Sequence, residues 1–179
     1  TDGYKGLVSW TGTMFEYLMP NLFLSENPRS ITGVSNKSVV ELQQNDGERG
    51  VWGKSESGYY AFDLDLNYQY KAFGAESAAL NGNVPANRVF APYAAMMALM
   101  QKPRQAMDNL YKLMSHGMYG EYGLYEAIDF TSDNAHVVSS YMAHHQGMSM
   151  LAIEAALRGE IKKTFASIPA IGAYTLLSQ

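Results

Sequence analysis

The sequence predicts an all-α protein with long polar and aromatic loops. Three observations lead to this prediction: 47% of the 179 residues are hydrophobic, the second half carries apolar residues at spacings of three and four, and proline or glycine marks where these stretches begin and end. The length favours a single domain, residues 1–179, built around one sizeable core.

The predicted helices follow one another from Pro92 onward. The first covers Pro92 to Lys102 and the second Pro103 to Gly117, because proline suits the first turn of a helix and glycine the position after its end. So short a connection predicts an antiparallel αα-hairpin. A third helix, expected to be the longest, covers Ala135 to Leu157 and stops at Gly159.

Two shorter helical stretches complete the assignment. Residues Ile161 to Leu177 predict a short helix or two, divided near Pro169, and Ser38 to Gln44 predict another. The rest of the first half, including Trp52 to Tyr70, is assigned to loops that carry the chemistry.

Charge and composition exclude several classes of function. A net charge of -4 without a run of Lys or Arg argues against nucleic acid or an anionic membrane as a partner. No apolar stretch reaches the roughly 20 residues of a membrane span, and the first residues lack the features of a signal peptide, so we expect a soluble chain that does not insert into a membrane. The absence of cysteine excludes disulfides and thiolate metal sites, and no cofactor motif is found.

The stretch WGKSESGYYAFDLDLNYQY, Trp52 to Tyr70, places three acids among serines, a glycine and many tyrosines. A solvated surface would carry lysines among such acids, and a buried core would exclude them. Aromatic rings that stack on sugar faces, together with carboxylates that bind hydroxyls and move protons, are typical of a sugar-binding cleft.

Four segments, SWTGTMFEYLMPNLF, WGKSESGYYAFDLDLNYQYKAFG, YGEYGLYEAIDF and SSYMAHHQGMSMLA, closely resemble the glucoamylase-like region of cyclic β-1,2-glucan synthases. Similar FEYLMP, SESGY, LNYQY, FAPY, YGLYEAIDFT and AHHQGMS segments occur there in the same order. The resemblance runs from about Trp10 to about Leu157.

The resemblance implies an (α/α)6 toroid of six helical hairpins with a glucan cleft at one end, related to endo-β-1,2-glucanases. Such a toroid needs on the order of twice this length. We therefore expect about half of a toroid, as a fragment of a larger enzyme or the remaining part of a truncated gene, with apolar helix faces left exposed.

Hydrolysis or transfer of a glycosidic bond needs two carboxyl groups, roughly 5 to 5.5 Å apart in a retaining enzyme and roughly 6.5 to 9.5 Å apart in an inverting one. Only the resemblance brings Glu126 and Glu56 together. We assign Glu126 as nucleophile and Glu56 as general acid/base, with exchanged roles as the alternative, and expect them to face each other across one cleft. Glu16 is a third candidate, for which a buried structural role is equally open.

The other candidate residues are expected to bind sugar. Aromatic side chains would stack on glucose rings, and polar ones would bind its hydroxyls. The substrate-binding candidates are Glu16, Trp52, Tyr59, Asp63, Tyr68, Tyr125, Asp129, His144, His145 and Gln146. No metal site is predicted, because adjacent histidines on a helix point about 100° apart.

Three functions remain open at this stage. The leading one is retaining transglycosylation that closes linear β-1,2-glucan into rings, and the alternatives are an endo-β-1,2-glucanase and a noncatalytic glucan-binding remnant. The expected partners are β-1,2-glucan and the rest of a parent polypeptide. By resemblance, this domain lies on the cytoplasmic side of a bacterial inner membrane, with a periplasmic or secreted location as the alternative.

Overall fold

Helices form most of the regular structure in the computed structural model, which describes residues 6–83 and 88–177. They are α1 (Met14–Leu18), α2 (Ile31–Asn45), α3 (Pro92–Met97), α4 (Pro103–Ser115), α5 (Ala143–Leu157), α6 (Glu160–Ala166) and α7 (Pro169–Leu177). Short 3-10 turns follow α1 and α3, at Met19–Leu22 and Ala98–Met100.

Three small antiparallel sheets lie between the helices, so the described chain is not all-α. The strands are β1 (Glu56–Phe62), β2 (Tyr68–Ala72), β3 (Val89–Phe90), β4 (Tyr119–Gly120), β5 (Gly123–Leu124), β6 (Ala127–Asp129) and β7 (His136–Val138). β1 pairs with β2 and β4 with β5, while β6 lies between β3 and β7 in the third sheet.

Several helix boundaries lie where proline and glycine predicted them. Pro92 and Pro103 occupy the first turns of α3 and α4, which pack against each other, and Gly117 after α4 has φ +80°. The division near Pro169 separates α6 from α7. The helix expected at Ser38 to Gln44 extends over Ile31–Asn45, because the Ser30 hydroxyl caps its start by accepting from the Gly33 N–H.

The helix predicted for Ala135 to Leu157 is wrong in its first part. Residues His136–Val138 form β7, and the helix begins only at Ala143. Two adjacent valines favour an extended chain, and pairing with β6 gives their backbone groups partners that helical periodicity does not reveal. At 15 residues α5 equals α2 in length, so it is not longer than every other helix.

The stretch assigned to a catalytic loop is largely a β-hairpin. Tyrosine and phenylalanine favour strands, and β1 and β2 pair from Glu56 opposite Ala72 onward. Asp63 holds the turn, since its Oδ1 accepts hydrogen bonds from the N–H groups of Asp65 and Asn67.

The main core surrounds α3. Met14 of α1, Ala94 and Met97 of α3, Ala152 of α5 and the intervening Trp52 are all buried there. Because α3 also contacts α4 and α5, it connects the hairpin region to the helices of the second half and thereby positions the candidate site.

A large apolar groove of about 460 Å³ lies where α4 and α5 meet. Tyr111 and Leu157 on its walls are 63% and 78% exposed, so part of the apolar surface of both helices faces solvent. The groove is lined by Met96, Leu99, Pro103, Met107, Leu110, Tyr111, Met114, Leu124, Ile153, Ala156 and Leu157. Within residues 6–83 and 88–177, no helix combines the length and the apolar character needed to cross a membrane.

Candidate active site

Glu126 is a buried carboxylate with defined hydrogen-bond donors. It is 2% exposed and lies immediately before β6. Its Oε1 accepts from the backbone N–H of Gly58 in β1 at 3.0 Å, and both of its oxygens lie 2.9 Å from Nδ1 of His145. The contact joins two segments that are distant in sequence and leaves this acid both paired and hydrogen-bonded, as burial of a charge requires.

His145, in the first turns of α5, is held in one orientation. Its ring stacks on Tyr93 of α3 with centroids 3.8 Å apart and an interplanar angle of 11°, and its Nε2 lies 3.4 Å from the Tyr70 hydroxyl of β2. An ionised Glu126 can only accept, so in that state Nδ1 of His145 is the donor. In a neutral imidazole, Nε2 is then the acceptor and the Tyr70 hydroxyl the donor.

Glu56 begins β1 and lies within electrostatic range of His145. The Tyr93 hydroxyl donates to the Glu56 carbonyl oxygen at 2.9 Å and lies 2.7 Å from the Ser55 hydroxyl, which fixes the start of the strand. Burial raises the pKa of the Glu56 carboxyl, and the charge of Glu16 adds to this effect while His145 opposes it.

Two phenols lie within electrostatic range of both Glu56 and Glu126. Burial raises the pKa of Tyr70 and of Tyr93, and the negative charges of the two glutamates raise both pKa values further. Both hydroxyls therefore keep their protons at neutral pH and act as hydrogen-bond donors. The sequence alone could not show that the two candidate carboxyl groups share these neighbours.

A cavity of about 310 Å³ gives access to Glu126. Tyr125, Gln146 and Ser149 border it on the polar side. The remaining lining residues are mostly apolar: Pro92, Tyr93, Met96, Met114, Tyr119, Gly123, Leu124, Met150 and Ile153. Of the aromatic residues expected to share one cleft with Glu126, only Tyr125 is among the described residues that border this cavity.

Glu16 has a structural position. Its carboxylate accepts from the hydroxyls of Ser9 and Thr11 and, with Thr13, forms the capping box that begins α1. Burial raises the pKa of Glu16, but the hydrogen bonds from Thr11, Ser9 and Thr13 outweigh it, so the pKa of this carboxyl is lowered. These contacts favour the structural role over sugar binding.

Trp52 and Asp63 do not reach the site. Trp52 is 7% exposed in the main core, where its backbone N–H and C=O bond the Asn109 side chain. Asp63 lies at the exposed tip of the hairpin and caps its turn, as its hydrogen bonds to Asp65 and Asn67 show. Neither side chain borders the cavity beside Glu126.

Asp129, Tyr59 and Tyr68 lie near β1 and are not among the residues that border the cavity beside Glu126. The Asp129 carboxylate accepts from the N–H groups of Tyr60 and Thr131. The Tyr59 ring packs edge-on against Phe73, and the Tyr68 hydroxyl accepts from the Ser139 N–H at 3.4 Å.

The remaining candidates lie near the Glu126 and His145 pair. His144 is exposed, with its ring 4.0 Å from that of His145, and burial together with the charge of His145 lowers the pKa of His144. The Gln146 amide donates to the Leu124 carbonyl and so ties α5 to the loop that carries Glu126. Tyr125 packs against Tyr141 with centroids 5.2 Å apart.

Three contributors to the site are not among the catalytic and substrate-binding candidates assigned from the sequence: Tyr70, Tyr93 and Gly58. Tyr70 and Tyr93 belong to the LNYQY and FAPY segments, so the ordered motifs were the available signal. The signal at Gly58 is its lack of a side chain, because a Cβ there would lie 3.3 Å from Cγ of Glu126. Within the described residues, no cluster of three or more His, Asp or Glu is arranged to hold a metal ion.

The chain belongs to the putative glucoamylase family, whose sequence model matches residues 1–169. Among curated proteins, it is 41% identical over 187 aligned positions to the cyclic beta-(1,2)-glucan synthase NdvB of Rhizobium meliloti. That alignment covers 99% of this chain but only 7% of NdvB. The resemblance stated from the motifs is thereby confirmed.

Solved structures show the same fold. A putative glucoamylase from Bacteroides caccae superimposes with a TM-score of 0.65 at 22% identity, covering 95% of this chain and 41% of that one. The endo-beta-1,2-glucanase from Chitinophaga pinensis, in complex with sophorotriose and glucose, gives a TM-score of 0.64 at 22% identity, covering 90% of this chain and 39% of that one. The chain thus spans about two fifths of the glucoamylase-like structures that it matches.

Proposed function

We propose that this chain carries the catalytic groups of a domain that cleaves β-1,2-glucan and transfers the glucosyl chain with retention of configuration. The observation that carries the proposal is the buried Glu126, bound by His145 and by the strand that begins with Glu56. The relationship to NdvB, a cyclic beta-(1,2)-glucan synthase, supports the substrate class.

The surroundings of the two acids support different roles. Glu126 receives N–H donors from Gly58 and His145, which stabilise and orient a carboxylate. Glu56 has a raised pKa and therefore keeps its proton to higher pH than an ordinary glutamate, which suits a general acid. Two carboxyl groups in such different surroundings are the usual basis for an acid and a nucleophile in one site.

The reaction then has two steps. Glu56 donates its proton to the leaving glycosidic oxygen while a carboxylate oxygen of Glu126 bonds to the anomeric carbon, giving a glycosyl ester. Glu56, now ionised, removes the proton from the acceptor hydroxyl, whose oxygen attacks the anomeric carbon and releases Glu126. When the acceptor is the non-reducing end of the same chain, the product is a ring.

Hydrolysis is the second candidate, because an endo-beta-1,2-glucanase shares this fold. It differs only in the acceptor, which is water. The mostly apolar lining of the cavity beside Glu126 favours a sugar acceptor over water. We also propose that the parent polypeptide holds this domain on the cytoplasmic side of a bacterial inner membrane.

Substitution of the two acids tests the mechanism. Glu126→Gln should abolish both cleavage of linear β-1,2-glucan and formation of cyclic product, and Glu56→Gln should lower turnover roughly 10²- to 10⁴-fold. The matched control is Glu121→Gln, the same change at an exposed acid in the turn between β4 and β5. Products are identified by mass spectrometry, since a ring is one water lighter than the linear chain of the same number of units.

Azide assigns the roles. In Glu126→Gly, azide should restore turnover by taking the place of the missing carboxylate and should give an α-glycosyl azide. A β-glycosyl azide from the Glu126 variant would show that Glu126 is the acid/base and Glu56 the nucleophile. Near-normal activity of either Gln variant would show that the substituted residue has no role in the mechanism. If only linear products form, the proposed reaction is hydrolysis and not transfer.

A further inference from the structure

A second cavity, of about 350 Å³, lies further along β1 and is not used by the mechanism above. It is lined by Tyr59, Tyr60, Ala61, Asp129, Thr131, Ser132 and His136. Its size falls within the roughly 300 to 1,000 Å³ of small-molecule sites.

Tyr60 and His136 line this cavity and belong to a run of packed aromatic rings that continues beyond it, which we call the aromatic shelf: Tyr60, Phe62, Tyr68 and His136. The rings of Tyr60 and His136 stack at 4.1 Å with an interplanar angle of 15°, Phe62 meets Tyr60 edge-on at 5.3 Å, and Tyr68 lies 4.8 Å from Phe62. Tyr60 and Phe62 are each 42% exposed. Rings packed only for stability would be covered, whereas these remain open to solvent.

Polar groups border the shelf. The Asp129 carboxylate is fixed by the N–H groups of Tyr60 and Thr131. The Thr131 hydroxyl accepts from the Arg88 N–H, which leaves its own proton free to donate. The Ser132 hydroxyl donates to the Asn134 carbonyl, so its oxygen can still accept. Apolar ring faces beside fixed acceptors and hydroxyl groups are the chemistry that recognises a pyranose.

The shelf lies next to the candidate active site along β1. The Gly58 N–H bonds Glu126 and the Tyr60 N–H bonds Asp129, and Asp129 is directly opposite His136 in the next sheet. The two N–H donors are two residues apart on β1, which corresponds to about 7 Å in a regular strand; the pairing of β1 with β2 is irregular between Tyr59 and Phe62.

We propose that the aromatic shelf is an accessory subsite that binds a glucosyl unit of the same β-1,2-glucan chain that reacts at Glu126. This inference rests on the proposed function for its substrate class. The shelf fixes the direction in which the chain leaves the site, and it selects chains long enough to reach from Glu126 to Tyr60.

The four histidines of the chain provide a direct test by NMR. His136 lies on the shelf, and His144 and His145 report on the candidate active site. His116, which packs edge-on against Phe130, is an internal control. Titration of the full chain with linear β-1,2-glucan should shift the ring signals of His136 and of the active-site pair and leave those of His116 unchanged. A β-1,4-linked glucan of equal length is the comparison probe.

The variant Tyr60→Ala should weaken binding of the long β-1,2-glucan roughly tenfold and leave the shifts caused by the β-1,2-linked disaccharide at His144 and His145 unchanged. Tyr111→Ala, which removes an exposed tyrosine of α4, should bind as the unaltered chain does. Shifts at His145 without shifts at His136, equal affinity of the two variants, or equal binding of the β-1,4-linked probe would overturn the subsite. Shifts at His136 alone would instead count against the function proposed for Glu126.

Discussion

Replacement of His145 by leucine should destabilise the fold strongly, because it leaves the Glu126 carboxylate buried without its partner. The two side chains are only 2% and 1% exposed, and they are 2.9 Å apart. Only the Gly58 N–H would remain as a donor to the carboxylate. Loss of one partner of such a pair costs about 3 to 5 kcal/mol, and Glu126→Leu alone should also destabilise, since it leaves the His145 Nδ1 donor unpaired.

The double variant should be more stable than His145→Leu alone. An apolar pair of similar volume removes both buried polar groups and leaves the buried Gly58 N–H without an acceptor, at a cost of about 1 to 3 kcal/mol. The Tyr70 hydroxyl also loses its contact with His145, but Tyr70 is 44% exposed and can bond water instead. The loss in the double variant should therefore fall at least about 1 kcal/mol short of the sum of the two single losses.

Urea unfolding followed by circular dichroism measures these differences, provided that the dependence on urea has the same slope in every variant. The control is His116→Leu, since His116 is half-buried and packs on Phe130; its loss should stay near about 1 kcal/mol. If the losses at 126 and 145 simply add, the two side chains do not form a buried pair and the proposed geometry of the site is wrong.

Two further predictions concern the first residues of β1. A Cβ at Gly58 would lie 3.3 Å from both Cγ of Glu126 and Cγ1 of Val138, so Gly58→Ala should displace the carboxylate and lower turnover by roughly tenfold or more. The kinetic control is Gly82→Ala, where the Cβ meets nothing within 4 Å. Equal turnover of the two variants would contradict the contact between Gly58 and Glu126. Burial and the charge of Glu16 raise the pKa of Glu56, so the folded state binds this proton more tightly than the unfolded chain and loses stability as pH rises. Glu56→Gln should therefore raise the melting temperature near pH 7 and have no effect below about pH 4; a difference that is constant across pH would refute the shift.

The helices could be predicted where a single local rule decides them. Pro103 and Gly117 bracket α4 because the constraints that they impose act within one or two residues. The strands between Glu56 and Val138 could not be predicted in this way. Most of them are short, and β7 exists because it pairs with β6, a contact that no helical periodicity encodes.

The candidate site was predictable in its residues but not in its arrangement. The motifs indicated Glu126, Glu56 and His145, and the structure brings the first and the last into contact. The burial of Trp52 could not be predicted, because an aromatic residue beside polar ones can equally belong to a cleft or to the core, where this one packs.

The contact between Glu126 and β1 also decides which substitutions can be interpreted. The Gly58 N–H is buried and must have an acceptor, and Glu126 provides it, so this side chain serves the fold as well as the proposed chemistry. Gln keeps a carbonyl oxygen in the same place, whereas Ala or Gly removes the acceptor and combines a loss of catalysis with a loss of structure. Glu126→Gln is therefore the variant whose loss of activity bears on the mechanism. Azide restores turnover in Glu126→Gly only where the protein still folds, so the rescue requires a parallel unfolding curve.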